Sequence, residues 1–134
     1  MTITGIEMII FDLDKTLVNR WGDMYDGVYD MLDDLKKKGI RLVVASYNKN
    51  GEKVLKYNGI DHFFETVRCQ DWQIDGIDDK KKMLGEILET SNLPSENILF
   101  VDDQEKNLDT ATKLGMKIHL VNECIGVVYN QLCL

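Results

Sequence analysis

The sequence predicts an α/β protein, a Rossmann-like, doubly wound and mostly parallel sheet of about five strands with helices on both faces. Two observations carry this expectation. Short apolar runs alternate with helical periods along the whole of the 134 residues. In addition, three segments end in the same way, KKKGI, KYNGI and TKLGM: lysine, then glycine, then an apolar residue opening the next run. Glycine tolerates the left-handed conformation that closes a helix, and lysine complements the negative end of the helix dipole. Repeated three times, this is the chemistry of a helix-to-strand junction.

The elements follow in order. Ile6–Phe11 is a short run rich in β-favouring residues, and Met24 to Lys38 carries a helical stripe of Val28, Met31, Leu32 and Leu35. Ile40–Ala45 is almost continuously apolar, as expected of a strand covered on both faces. Glu52–Asn58 reads as a short helix and Phe63–Cys69 as a weaker edge strand. Lys80–Thr90 places Met83, Leu84, Ile87 and Leu88 on one helical face, and Asn97–Val101 is a second buried strand. Leu108, Ala111 and Leu114 mark a last long helix, Lys117–Val121 a last strand, and Cys124–Leu132 a terminal helix. The length fits one domain over residues 1–134.

Composition narrows the function classes. Sixteen basic and twenty-three acidic side chains give a net charge of −7, which argues against general nucleic-acid binding, where a basic footprint supplies most of the affinity. No apolar run approaches the roughly twenty residues of a spanning helix. The N-terminus has no basic segment ahead of its apolar run, and Cys69, Cys124 and Cys133 fit neither a disulfide framework nor paired zinc knuckles. A reducing, cytoplasmic setting is the expectation.

In doubly wound sheets ligands sit beyond the carboxyl ends of the strands. The residues expected there are Asp12, Asp14 and Thr16 (FDLDKTL), Ser46 (VVAS), and Asp102 and Asp103 (LFVDD), with Lys80, Lys81 and Lys82 ahead of a helix. Carboxylates crowded at one edge repel each other unless a hard cation bridges them. Magnesium suits oxygen ligands and is commonly shared with a substrate phosphate. One carboxylate so neutralised can attack phosphorus, and a second, two residues along, can protonate a leaving oxygen and then activate water. Hydroxyl and ammonium groups would hold the phosphoryl oxygens.

The order DxDxT, serine after a strand, lysine at a helix start and DD after a strand resembles the haloacid dehalogenase superfamily of phosphohydrolases, and most of all its small, uncapped magnesium-dependent phosphatases. Pro94 also falls where that group carries a proline. The resemblance implies Asp12 as nucleophile and magnesium ligand, and Asp14 as general acid/base with its backbone carbonyl on the metal. It implies Thr16 steadying the loop, Ser46 holding the phosphoryl group, and Lys80 neutralising nucleophile and phosphate. Asp103 aligns with the family's metal-binding aspartate, and Asp102, counted with it among the metal residues, would sit beside it, orienting a bound water or pairing with Lys80. Lys81 stays open as an alternative to Lys80, and Asn107 stands where many relatives have aspartate.

Leu17–Asp23 and Tyr47–Gly51 are too short for a cap domain, so an open site is expected, suited to bulky phosphorylated substrates such as phosphoprotein or to small phosphate esters. The alternatives are a polynucleotide 3′-phosphatase, a phosphoacceptor domain of the receiver type, whose motifs run in a different order, and a binding module without turnover. His62 and His119 match no ligand spacing. Trp21, Tyr47 and Trp72 are read as loop anchors that could instead stack on substrate, and Cys69 and Cys133 as small packing residues.

Overall fold

A computed structural model describes residues 5–70, 80–132 and 134. Five strands form one parallel sheet: β1 (Met8–Phe11), β2 (Arg41–Ser46), β3 (Thr66–Cys69), β4 (Ile98–Asp102) and β5 (Lys117–Leu120), in the spatial order β3-β2-β1-β4-β5. The chain winds outward from β1 through β2 to β3, then returns to the other side of β1 for β4 and β5. The central strand therefore has a neighbour from each half, and the crossover of the winding lies at its carboxyl end.

Strand alternation sorts the side chains between two cores. Ile9 and Phe11 join the layer of α1 (Val28–Lys37) and α2 (Gly51–Tyr57), whereas Met8 and Ile10 join that of α3 (Lys81–Ser91) and α4 (Glu105–Lys113). The expected helical stripes are the buried faces: Val28, Met31, Leu32 and Leu35 on α1, and Met83, Leu84 and Ile87 on α3. Gly39, Gly59 and Gly115, the three glycines of the repeated junction, all have positive φ (82°, 70° and 90°). The doubly wound α/β architecture, with no cap among the described residues, is thus as the sequence predicts.

Three boundaries differ from expectation. Helix α1 starts at Val28 because Met24 is still paired with Val18 in a small flap and Gly27 turns at φ 82°. Strand β3 starts at Thr66, because Asp61–Phe63 forms a single 3-10 turn that buries Phe63. The tail expected as a helix over Cys124–Leu132 is instead a turn closed by the Asn122–Gly126 bridge, followed by one 3-10 turn at Tyr129–Leu132. Tertiary bonds decide that outcome. Val127 N–H donates to Thr16 O (2.9 Å), and Tyr25 Oη donates to Glu123 O (2.6 Å). These contacts hold the tail against the flap in place of the ladder of a continuous helix. Among the described residues no helix is long and apolar enough to cross a membrane.

Candidate active site

The sheet register brings the predicted residues level. Phe11 pairs with Val44 on one side and Val101 on the other, so Asp12, Ala45 and Asp102 come next in line across three adjacent strands. Asp12 N–H donates to Val101 O (2.9 Å), which continues the ladder by one bond and fixes the carboxylate at the sheet edge.

Lys80 closes this row. Its Nζ donates to Asp12 Oδ1 (2.6 Å), Ala45 O (2.9 Å) and Asp102 Oδ2 (3.0 Å), so one ammonium uses all three of its donors on three strand ends. The residue is buried, although it immediately precedes α3. A left-handed backbone (φ 61°, ψ 13°) turns it inward there, and Tyr47 Oη accepts its N–H (2.9 Å). Lys81, one residue on, is exposed on the helix. Of the two lysines, the structure puts Lys80 in the cleft.

The loop after β1 wraps back on itself. Leu13 O accepts from Leu17 N–H (2.9 Å), and Lys15 occupies the left-handed region (φ 63°). Leu13, Leu17 and Val18 are buried and anchor the turn. Thr16, fully buried, donates from Oγ1 to Asp12 Oδ2 (3.3 Å). Asp14 lies farther out, its Oδ1 accepting from Asn48 Nδ2 (3.2 Å). Ser46, at the tip of β2, accepts from Asn48 N–H (3.0 Å), which shapes the short loop to α2.

Asp102 is buried and fully bonded. Beyond Lys80, its Oδ2 accepts from Asn107 Nδ2 (3.1 Å) and its Oδ1 from Gln104 N–H (2.9 Å). Asp103 is half-buried. Ligand oxygens of Asp12, Asp102 and Asp103 all lie within 4.8 Å of one another.

Electrostatics follow from this crowding. Burial drives the Asp12 carboxyl well above the ordinary carboxylate range; Lys80 opposes the shift, and the neighbouring Asp102 charge adds to it. Burial likewise raises Asp103, with a hydrogen bond to Asp12 offsetting part of the rise. For Lys80 burial alone acts downward, but the charges of Asp12 and then Asp102 outweigh it and hold the ammonium more firmly protonated than an ordinary lysine. Asp12 and Asp102 thus share the Lys80 ammonium with Asp103 close beside them, and this knot of carboxylates is of the kind that a divalent cation bridges. Asn107 Oδ1 adds a buried acceptor with no partner among the described residues. An all-oxygen donor set of this kind suits a hard cation rather than zinc or copper.

A cleft of about 510 Å³ joins these groups. Asp12, Asp14, Ser46, Lys80, Asp102 and Asp103 all line it, whereas Thr16 lies beneath, against the far oxygen of Asp12. Tyr47 anchors a loop as expected, through the Lys80 N–H, whereas the sequence did not show Asn48 supporting Asp14 or Asn107 supporting Asp102. The polar run SYNKN directly after an apolar strand was the available signal for Asn48. Trp21 is 76% exposed and so anchors nothing. His62 packs on Phe63 (4.1 Å between ring centroids), His119 lies on β5, and burial pushes the Cys69 thiol up to about 12. Trp72 and Cys133 fall outside the described residues.

The model of the haloacid dehalogenase-like hydrolase family matches residues 21–121, three quarters of the chain. The chain belongs to the haloacid dehalogenase-like hydrolases. The match begins after Asp12 and Asp14, so the first motif stands on its own geometry. No curated protein is significantly similar in sequence to this hydrolase. Among solved structures, a predicted phosphoglycolate phosphatase from Haemophilus somnus superposes with a TM-score of 0.76 at 16% identity, over 96% of this chain and 90% of that one. A haloacid dehalogenase-like hydrolase from Streptococcus pneumoniae gives 0.74 at 15% identity, over 98% and 91%. Protein Tyrosine Kinase A of Mycobacterium tuberculosis gives 0.63 at 26% identity, over 81% of this chain and 50% of that one.

Proposed function

We propose that this hydrolase is a magnesium-dependent phosphatase that cleaves phosphomonoesters through a covalent phosphate on Asp12. The observation that carries the reading is the row Asp12–Lys80–Asp102 with Asp103 beside it, a nucleophile candidate with an ammonium on one oxygen and an acidic cation site next to it. Asp12, Asp103 and the backbone carbonyl of Asp14 would hold magnesium, with Asp102 and Asn107 fixing what surrounds it. When bound, the cation offsets negative charge on the carboxylates and on the incoming phosphate.

The chain's own groups account for the rest. Asp12 attacks phosphorus and the ester P–O bond breaks. Asp14, beyond the row and tethered by Asn48, delivers its proton to the departing oxygen. The same group then takes a proton from water as that water attacks phosphorus, which releases inorganic phosphate and restores the Asp12 carboxylate. Lys80 and Ser46 line the cleft where phosphoryl oxygens gather charge. The flap over residues 14–24 is short, so the cleft admits phosphoprotein as well as small phosphate esters. The acidic chain and the cysteine content favour a cytoplasmic enzyme that does not bind nucleic acid generally, and the full chain acting as one domain.

Asp14→Asn tests the covalent step. Quenched in acid during turnover, that variant should carry one phosphoryl group on Asp12, seen as a mass increment on its peptide and removed by hydroxylamine. Turnover by wild-type enzyme without such an increment in the variant would redirect the mechanism to direct attack by water.

A further inference from the structure

A second cleft, of about 620 Å³, lies between the flap and the turn after β5, with Lys15, Arg20, Trp21, Tyr25 and Glu123 among its walls. Lys15 lines this cleft and the candidate active site alike, so the two are contiguous. Its Nζ pairs with Glu123 Oε2 (3.3 Å) at the junction.

The exposed indole is presented by a closed turn. Asn19 Oδ1 accepts from the N–H groups of Trp21 (2.9 Å) and Asp23 (3.1 Å), and Asn58 Nδ2 donates to Gly22 O (2.9 Å). The backbone under Trp21 is thereby fixed while its ring stays 76% exposed. The guanidinium of Arg20 lies 5.2 Å from the ring centroid. A large aromatic surface that packs on no core, held by a braced turn beside a catalytic cleft, is suited to receiving a planar group.

We propose that Arg20 and Trp21 form the subsite for the leaving group, and that this group carries a planar aromatic ring. The inference rests on the phosphatase reading for the identity of the cleft next door. With a phosphate against Asp12, an ester group extending toward Lys15, the residue common to both clefts, would meet the Arg20–Trp21 side, where ring stacking and the adjacent guanidinium favour an aromatic group over an alkyl one. Phosphorylated aryl side chains and nucleoside monophosphates share this chemistry.

Calorimetric titration with phenylphosphonate and methylphosphonate, in the presence of magnesium, tests the subsite without requiring turnover. Wild-type protein should bind the phenyl compound about tenfold more tightly, Trp21→Phe should keep most of that ratio, and Trp21→Ala should bring it close to one. An equal affinity for both compounds in the wild type, or a ratio that survives Trp21→Ala, overturns the proposal. A ring preference that depends on Trp21, in a protein that hydrolyses neither phenyl phosphate nor methyl phosphate, supports an aryl-binding subsite beside the phosphate and counts against the phosphatase reading alone. With the preference established, tyrosine phosphate and adenosine monophosphate distinguish the two sources of the ring.

Discussion

Lys80 and Asp12 stand 68 residues apart in sequence and 2.6 Å apart in space, both buried, with the Lys80 backbone held in a left-handed turn to make the contact. Lys80→Met would remove the buried ammonium that is bonded to both Asp12 and Asp102. Breaking a buried pair from one side costs about 3–5 kcal/mol, because the remaining charges stay desolvated. The urea midpoint of this variant should fall accordingly, together with any phosphatase activity. An unchanged midpoint would mean that the Lys80 contacts contribute nothing to stability.

A divalent cation should stabilise the fold through the same cluster. At about a hundred times its dissociation constant, a ligand of the native state adds about 2.7 kcal/mol. Magnesium should therefore raise the thermal midpoint of the wild type relative to chelator. Asp103→Asn should largely abolish the shift. The effect should weaken as pH falls, because the carboxyls of Asp12 and Asp103 hold their protons more tightly than usual and compete with the cation.

Away from the cleft, Arg41 clamps Glu65 through two bonds of 2.8 Å and reaches Ser91 O with a third. The hydrogen bonds from Arg41 hold the Glu65 carboxyl below its usual range, against the opposing effect of burial. A depressed folded pKa contributes stability above the unfolded value, near 4.5, and loses it as pH falls through the folded value. Glu65→Gln should lower stability at neutral pH by about 0.5 kcal/mol, the pair being partly exposed. Wild type and variant should converge once the pH falls below the lowered folded value, as urea titrations across the acid range would show. A constant difference at all pH values would assign the effect to packing.

Gly51, the first residue of α2, leaves no room for a side chain. A Cβ there would meet the Cys69 sulfur and crowd Leu13. Gly51→Ala should cost about 1–3 kcal/mol by overpacking. Adding Cys69→Ala should recover part of the loss, which separates crowding from any effect on helix propensity.

The sheet and the two helical layers were legible because apolar period and junction glycines report on local structure, and β1, β2 and β4 each end where site residues begin. Ser46, Asp102 and Asp103 were legible for that reason. The choice between Lys80 and Lys81 was not, since three lysines in a row carry no register; it is made by the left-handed turn at Lys80 and by Tyr47 from another loop. The tail was misread because its path depends on partners remote in sequence, Thr16 and Tyr25, and not on its own period. Asn107 shows the same dependence, since its amide matters only through Asp102, five residues earlier.

The central claim is that Asp12 attacks phosphorus with magnesium beside it. Hydrolysis of p-nitrophenyl phosphate by wild type and by Asp12→Asn, each with magnesium and with excess chelator, tests it most directly. The account predicts release by the wild type with magnesium and release at the uncatalysed rate in the other three conditions, with Asp12→Asn folded. Release by folded Asp12→Asn at a rate near that of the wild type would contradict it.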